Sequence, residues 1–127
     1  MVDLNELYQS ADWKQEKHVP VIDLDIGENQ VKIKLAVGKE IPHPNTTAHH
    51  IRWIDCYFLP AGEKFAIHVG RAEFAAHGAS VKGADTSTVM SKPAVSFVLS
   101  TKKSGTVIAT SYCNIHGLWQ NTAEVKF

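Results

Sequence analysis

Val31-Lys32-Ile33-Lys34-Leu35-Ala36-Val37 carries an apolar side chain at every second position. A period of two puts Val31, Ile33, Leu35 and Val37 on one face, with lysines on part of the other, the pattern of a half-buried strand. Working outward, comparable runs predict strands at 18–24, 51–59, 65–74, 94–100, 106–112 and 123–127. Turn-forming clusters separate several of them: Gly27-Glu28-Asn29, Pro60-Ala61-Gly62-Glu63 and Lys102-Lys103-Ser104-Gly105. Seven short strands at this spacing predict an all-β, immunoglobulin-like antiparallel sandwich. A short N-terminal helix is the one exception: Asp3 followed by Glu6 has the form of a capping box, and Leu4 and Leu7 give it an apolar face. The weakly hydrophobic stretch 77–92 reads as a long surface loop, and one domain over residues 1–127 accounts for the chain.

Composition narrows the function. The chain has 127 residues, 44% hydrophobic and 20% charged, which suits a globular domain with its own core. Thirteen basic residues balance thirteen acidic ones. Neutrality argues against a broad nucleic-acid surface, since phosphate binding needs a basic field, but leaves room for a local positive patch. No run approaches a membrane span, and the acidic N-terminus lacks the apolar stretch of a signal peptide. The expectation is a cytoplasmic, reducing compartment. The two cysteines, Cys56 and Cys113, do not make a secreted disulfide scaffold, so Cys113 is available as a thiolate.

The chemistry concentrates in three histidine-bearing segments. Tyr112-Cys113-Asn114-Ile115-His116-Gly117 sets a thiol and an imidazole three residues apart in a tight loop, where backbone N–H groups can stabilise a sulfur anion. Pro42-His43-Pro44-Asn45 flanks a histidine with prolines, which limits the backbone and preorganises the ring. His49 and His50 follow; adjacent residues on an extended chain point to opposite faces, so one of the two at most serves a given site, and spacing leaves the choice open. Glu16-Lys17-His18 places a carboxylate and an imidazole two apart, on one side of an extended chain and roughly 6–7 Å apart by Cα. Lys17 would point away from a regular strand; a role at the site requires an irregular segment, and a solvated charge is the alternative. One thiolate with several imidazoles is a ligand set for a redox transition metal. Structural zinc sites generally take more sulfur, and calcium or magnesium take oxygen.

Other residues carry plainer expectations. His68 lies mid-strand and His77 precedes a turn glycine, so both read as structural; Cys56 reads as a small core residue, and Trp13, Trp53 and Trp119 as core or interface residues, with Trp119 following His116 closely enough to shield the site. Two other functions compete. A blue-copper protein also uses a Cys-x-x-His loop, but wants two histidines and a weak axial ligand, and neither Met1 nor Met90 closely follows His116. A zinc-stabilised or metal-free binding sandwich would show no redox-active colour.

Taken together, Glu16-Lys17-His18-Val19-Pro20, Gly38-Lys39-Glu40-Ile41-Pro42-His43-Pro44-Asn45, His49-His50-Ile51 and Ser111-Tyr112-Cys113-Asn114-Ile115-His116-Gly117 closely resemble superoxide reductase of the one-iron, neelaredoxin type, over nearly the whole chain. The resemblance implies one non-haem iron per chain, with His18, His43, His49 and His116 as equatorial imidazoles and Cys113 as axial thiolate. It selects His49 over His50. It implies that Glu16 fills the sixth position of the ferric resting state and that Lys17 places positive charge near the open ferrous face. The expected reaction is one-electron reduction of superoxide, bound opposite Cys113, to hydrogen peroxide. Longer members carry an N-terminal four-cysteine iron domain that the two cysteines here do not match, so a single iron and an external, rubredoxin-like electron donor are implied. The family also implies a sandwich fold and a homotetramer.

Overall fold

The alternation at 31–37 becomes a ladder of buried side chains. In the computed structural model, which describes residues 1–127, the elements in chain order are α1 (Leu4–Leu7), β1 (Pro20–Ile26), β2 (Gln30–Val37), β3 (Ile51–Pro60), β4 (Ile67–Glu73), β5 (Ala94–Ser100), β6 (Gly105–Cys113) and β7 (Gly117–Val125). Val31, Ile33, Leu35 and Val37 of β2 are buried, and the lysines between them are exposed. They meet Ile51, Ile54, Cys56 and Phe58 of β3, Val107, Ala109 and Cys113 of β6, and Val125 of β7 in one apolar core. Removing each of the larger side chains from water contributes about 1.5–3 kcal/mol.

Two antiparallel sheets face each other across this core, β1-β2-β5 and β4-β3-β6-β7. This is the predicted all-β, immunoglobulin-like sandwich of seven strands. Asp3 caps α1, its side chain accepting the Asn5 N–H at 2.9 Å. Gln9 then bridges to Trp119 on β7, which ties the N-terminal segment to the second sheet. The stretch 77–92 is irregular and largely exposed, as expected of a surface loop.

Several strand boundaries differ from expectation: β4 starts at Ile67 and not at residue 65, and the first and last strands are displaced as well. The first strand starts at Pro20, not at residue 18, because residues 13–18 form turns. In them Asp12 accepts the Gln15 and Glu16 N–H groups, and Glu16 accepts that of His18. The last strand spans Gly117–Val125 and not 123–127. Its polar residues Gln120, Asn121 and Thr122 hide it from a hydrophobicity pattern, whereas hairpin pairing with β6 holds it in strand geometry.

Pairing also decides where the histidines go. Pro20 opposes Val37, and Ile51 opposes Cys113. The lead-in to β1, the exit of β2, the entry to β3 and the β6–β7 turn therefore gather at one end of the sandwich. No helix is long and apolar enough to cross a membrane.

Candidate metal centre

The β6–β7 turn brings the first two donors. Cys113 opposes Gly117, leaving Asn114, Ile115 and His116 as a three-residue hairpin loop. Such loops need a left-handed residue at their end, and Gly117 supplies it at φ +80°. Cys113 is fully buried; its sulfur accepts the His116 backbone N–H at 3.4 Å and lies 3.9 Å from Nδ1 of that ring. His116 is exposed, with its backbone carbonyl held by the Trp119 indole at 3.2 Å.

The β2–β3 connection supplies two more. Gly38, at φ +86°, lets the chain fold back so closely that a Cβ there would meet the His43 backbone nitrogen. His43 Nδ1 lies 2.6 Å from the Pro44 carbonyl. A carbonyl only accepts, so Nδ1 carries the proton and Nε2 keeps its lone pair. Thr46 and His49 close a tight loop through Thr46 N–H to His49 O at 2.9 Å and His49 N–H to Thr46 Oγ1 at 3.1 Å. His50 turns the other way, as its position next to His49 predicts. Its Nδ1 meets the Thr46 carbonyl at 2.8 Å and its ring stacks on His77 at 3.5 Å.

The lead-in to β1 brings His18, whose ring is buried and stacked on Trp119 at 4.9 Å. Trp119 thus shields the cluster as expected. His18 Nδ1 lies 2.6 Å from Glu16 Oε1, and Nε2 faces His116 Nδ1 at 3.1 Å.

One donor atom from each of His18, His43, His49 and Cys113 falls within 4.8 Å of the others. Neighbouring rings lie 4.7–5.0 Å apart in the order His18, His43, His49, His116, while His18 and His49 are 6.4 Å apart. This is a square of four imidazoles, with His43 across from His116. The Nε2 atoms of His43 and His49 are buried without any hydrogen-bond partner. An unpartnered buried nitrogen costs about 1–3 kcal/mol, and two of them aimed into a ring of donors fit a cation between them.

The protonation balance fits as well. Burial lowers the pKa of His18, His43 and His49, that of His43 to about 4, and the charge of Lys17 pushes all three the same way. For His18 this burial outweighs the opposing pull of Glu16. Neutral imidazoles are what metal ligation requires. For Glu16, burial acts upward, but the hydrogen bonds from His18 outweigh it and the carboxyl is held below its usual value.

Glu16 is the residue whose position departs most from expectation: its carboxylate rests on the outer nitrogen of the His18 ring rather than among the converging donors. Lys17 is half-buried in an irregular segment, which meets the condition for a role at the site. Asn114 escaped notice although it lies inside the Cys-x-x-His motif. Its Oδ1 accepts the His50 N–H at 2.8 Å and its Nδ2 donates to the Ala48 carbonyl at 2.9 Å, which clamps the histidine loop to the cysteine hairpin. The bland expectations hold for the others: Cys56 is a core thiol pushed up to about 11 by burial, and His68 pairs with Asp55 at 3.0 Å.

Comparison with known proteins points one way. The family model described as desulfoferrodoxin matches residues 10–122. The chain is 60% identical over 123 residues to the superoxide reductase of Pyrococcus furiosus, covering 97% of this chain and 99% of that protein. It is 48% identical over 123 residues to the neelaredoxin of Megalodesulfovibrio gigas, covering 94% of this chain and 95% of that one. The reduced superoxide reductase (neelaredoxin) of Archaeoglobus fulgidus superimposes with a TM-score of 0.91 at 57% identity, covering 95% of this chain and 99% of that chain.

Proposed function

The chain belongs to the desulfoferrodoxin family, and from that premise we infer that it is a superoxide reductase, an oxidoreductase that adds one electron and two protons to superoxide to give hydrogen peroxide. The observation that carries this is the pair of orphaned Nε2 atoms, on His43 and His49, aimed into a cluster that also holds a buried thiol. Iron is the metal we assign, because one thiolate with several imidazoles suits a redox metal of intermediate softness. His18, His43 and His49 would hold it through Nε2, His116 through Nδ1 and Cys113 through sulfur. Iron there supplies the electron by cycling between its ferrous and ferric states.

The chain's own residues do the rest. Lys17 places a positive charge beside the cluster and raises the local concentration of a small anion. Cys113 is kept dry by the core and takes a backbone N–H, which stabilises negative charge on its sulfur. Glu16 rests on the outer nitrogen of His18; by leaving that ring its carboxylate would become a further oxygen donor for the oxidised metal. Trp119 covers one face of His18 and keeps water from it.

The same reading makes residues 1–127 one catalytic domain, acting in the cytoplasm as a homotetramer and re-reduced by a rubredoxin-like protein. Metal analysis followed by stopped-flow mixing of the reduced protein with superoxide tests the function. Stoichiometric oxidation with peroxide formed and no dioxygen is the expected result. Dioxygen release with return to the reduced form would indicate dismutation and overturn it.

A further inference from the structure

We propose that a hollow on the outer face of the β1-β2-β5 sheet is the docking site of the one-electron donor, and that it takes an acidic protein surface; the proposal rests on the superoxide reductase reading above. The hollow measures about 840 Å³. Its charged lining is Lys34, Lys39 and Lys92 against Asp23 alone, three cations to one anion, on a chain with no net charge. Asp23 is already engaged by Lys39 at 2.6 Å, and no ion pair involves Lys34 or Lys92. The local field is therefore positive, and the partner it favours is negative.

The register shows why the surface can admit a protein. On β2 and β5 the paired residues Ala36 and Ala94, and Lys34 and Ser96, lie on the face opposite the buried Leu35 and Val37. Small side chains form the floor and lysines the rim. A partner's backbone can approach such a floor closely, while its carboxylates meet the rim.

His43 supplies the link to the centre. It borders the hollow, and its Nε2 is one of the two orphaned nitrogens of the cluster. A donor seated here is separated from the metal position by a single imidazole. His43 also lies across the square from the exposed His116, so docking leaves the exposed side free. In the transfer one electron leaves the donor's metal, which is oxidised, and reduces the oxidised centre; no bond breaks and no proton moves.

The test uses the metal-loaded protein, the exposed double variant Lys34→Glu/Lys92→Glu, and rubredoxin as the acidic probe. Zinc-substituted, redox-inert rubredoxin added at low salt should shift the amide resonances of Gly38 and of Ala94 to Ser96 in the parent protein and leave them unmoved in the variant. Re-reduction of the oxidised enzyme by reduced rubredoxin should fall roughly tenfold or more in the variant at low salt, and in the parent as salt rises. Reduction by ascorbate and oxidation by superoxide should stay unchanged. Shifts on another face, or equal rubredoxin rates, overturn the proposal. So does a change in oligomeric mass in the variant, which would mean that a second copy of the chain covers the hollow. Failure of the parent protein to react with superoxide would instead sink the functional reading, whatever the amide shifts show.

Discussion

Glu16 Oε1 stands 2.6 Å from Nδ1 of His18 and accepts the backbone N–H of the same residue at 3.0 Å. A carboxylate on the outer nitrogen of a histidine fixes its tautomer and raises the basicity of the inner nitrogen. Glu16 therefore acts on the centre through His18 in this conformation, and the direct ligation proposed above would require it to leave that ring. Glu16→Ala removes both the His18 contact and the proposed oxygen donor. Metal affinity should fall about tenfold or more, measured by competition with a chelator, and the absorption spectrum of the oxidised protein should change. An unchanged oxidised spectrum would remove Glu16 as a sixth donor, and an unchanged affinity would remove its role on His18.

Asn114 joins two segments that each carry donors. Both of its side-chain bonds go to the backbone of the loop around His49, at Ala48 and His50. Asn114→Ala leaves a carbonyl and an N–H without partners, at a cost of about 2 kcal/mol. Thermal unfolding of the metal-free protein should show that loss, and metal release should quicken because His49 is no longer held against Cys113. A variant as stable as the parent, with unchanged release, would make the clamp incidental.

His43 gives the metal-free protein an acid sensitivity. Burial lowers its pKa from 6.5 to about 4 in the folded chain. The unfolded state then binds more protons between those values, so stability is complete above the unfolded pKa and drains away as pH falls toward the folded one. For this ring alone the loss is about 2 kcal/mol on going to pH 5. His18 and His49 shift in the same direction and add to it. Urea unfolding with a chelator present, at neutral and mildly acidic pH, measures the slope. It should flatten in His43→Gln, and a parent protein equally stable at both pH values would contradict the burial argument.

How much of this could be read from the chain depends on how local each feature is. Val31 to Val37 announces its strand because the pattern and the burial share one period. Cys113 and His116 are legible as a pair because a three-residue hairpin loop holds them both. The choice of His49 over His50 is not local. It is made by Thr46 closing the loop and by Asn114 from another hairpin, contacts 64 and 66 residues apart for Asn114. The resemblance to superoxide reductase supplied that choice where spacing could not. Glu16 on His18 is invisible because an extended chain and a turn both put the two residues near each other. The lysine-rimmed hollow arises only when β5 pairs with β2, which no short window reveals.

Lys17 makes no hydrogen bond or ion pair through its side chain, yet its charge depresses proton binding at His18, His43 and His49 together. A charge felt by three rings of the cluster is placed to be felt by an anion arriving there. Lys17→Ala should slow the second-order reaction of the reduced enzyme with superoxide by about tenfold at low ionic strength. The gap should narrow with added salt, because the screening length shrinks from about 30 Å at 0.01 M to about 8 Å at 0.15 M. Lys17→Arg should keep most of the rate, since it keeps the charge and alters only its shape. Pulse radiolysis across a salt series separates steering from a structural role: a misfolded site would lose rate at every salt concentration, whereas lost steering converges with the parent as the field is screened. Identical rates and identical salt slopes in Lys17→Ala would assign the steering to the metal's own charge.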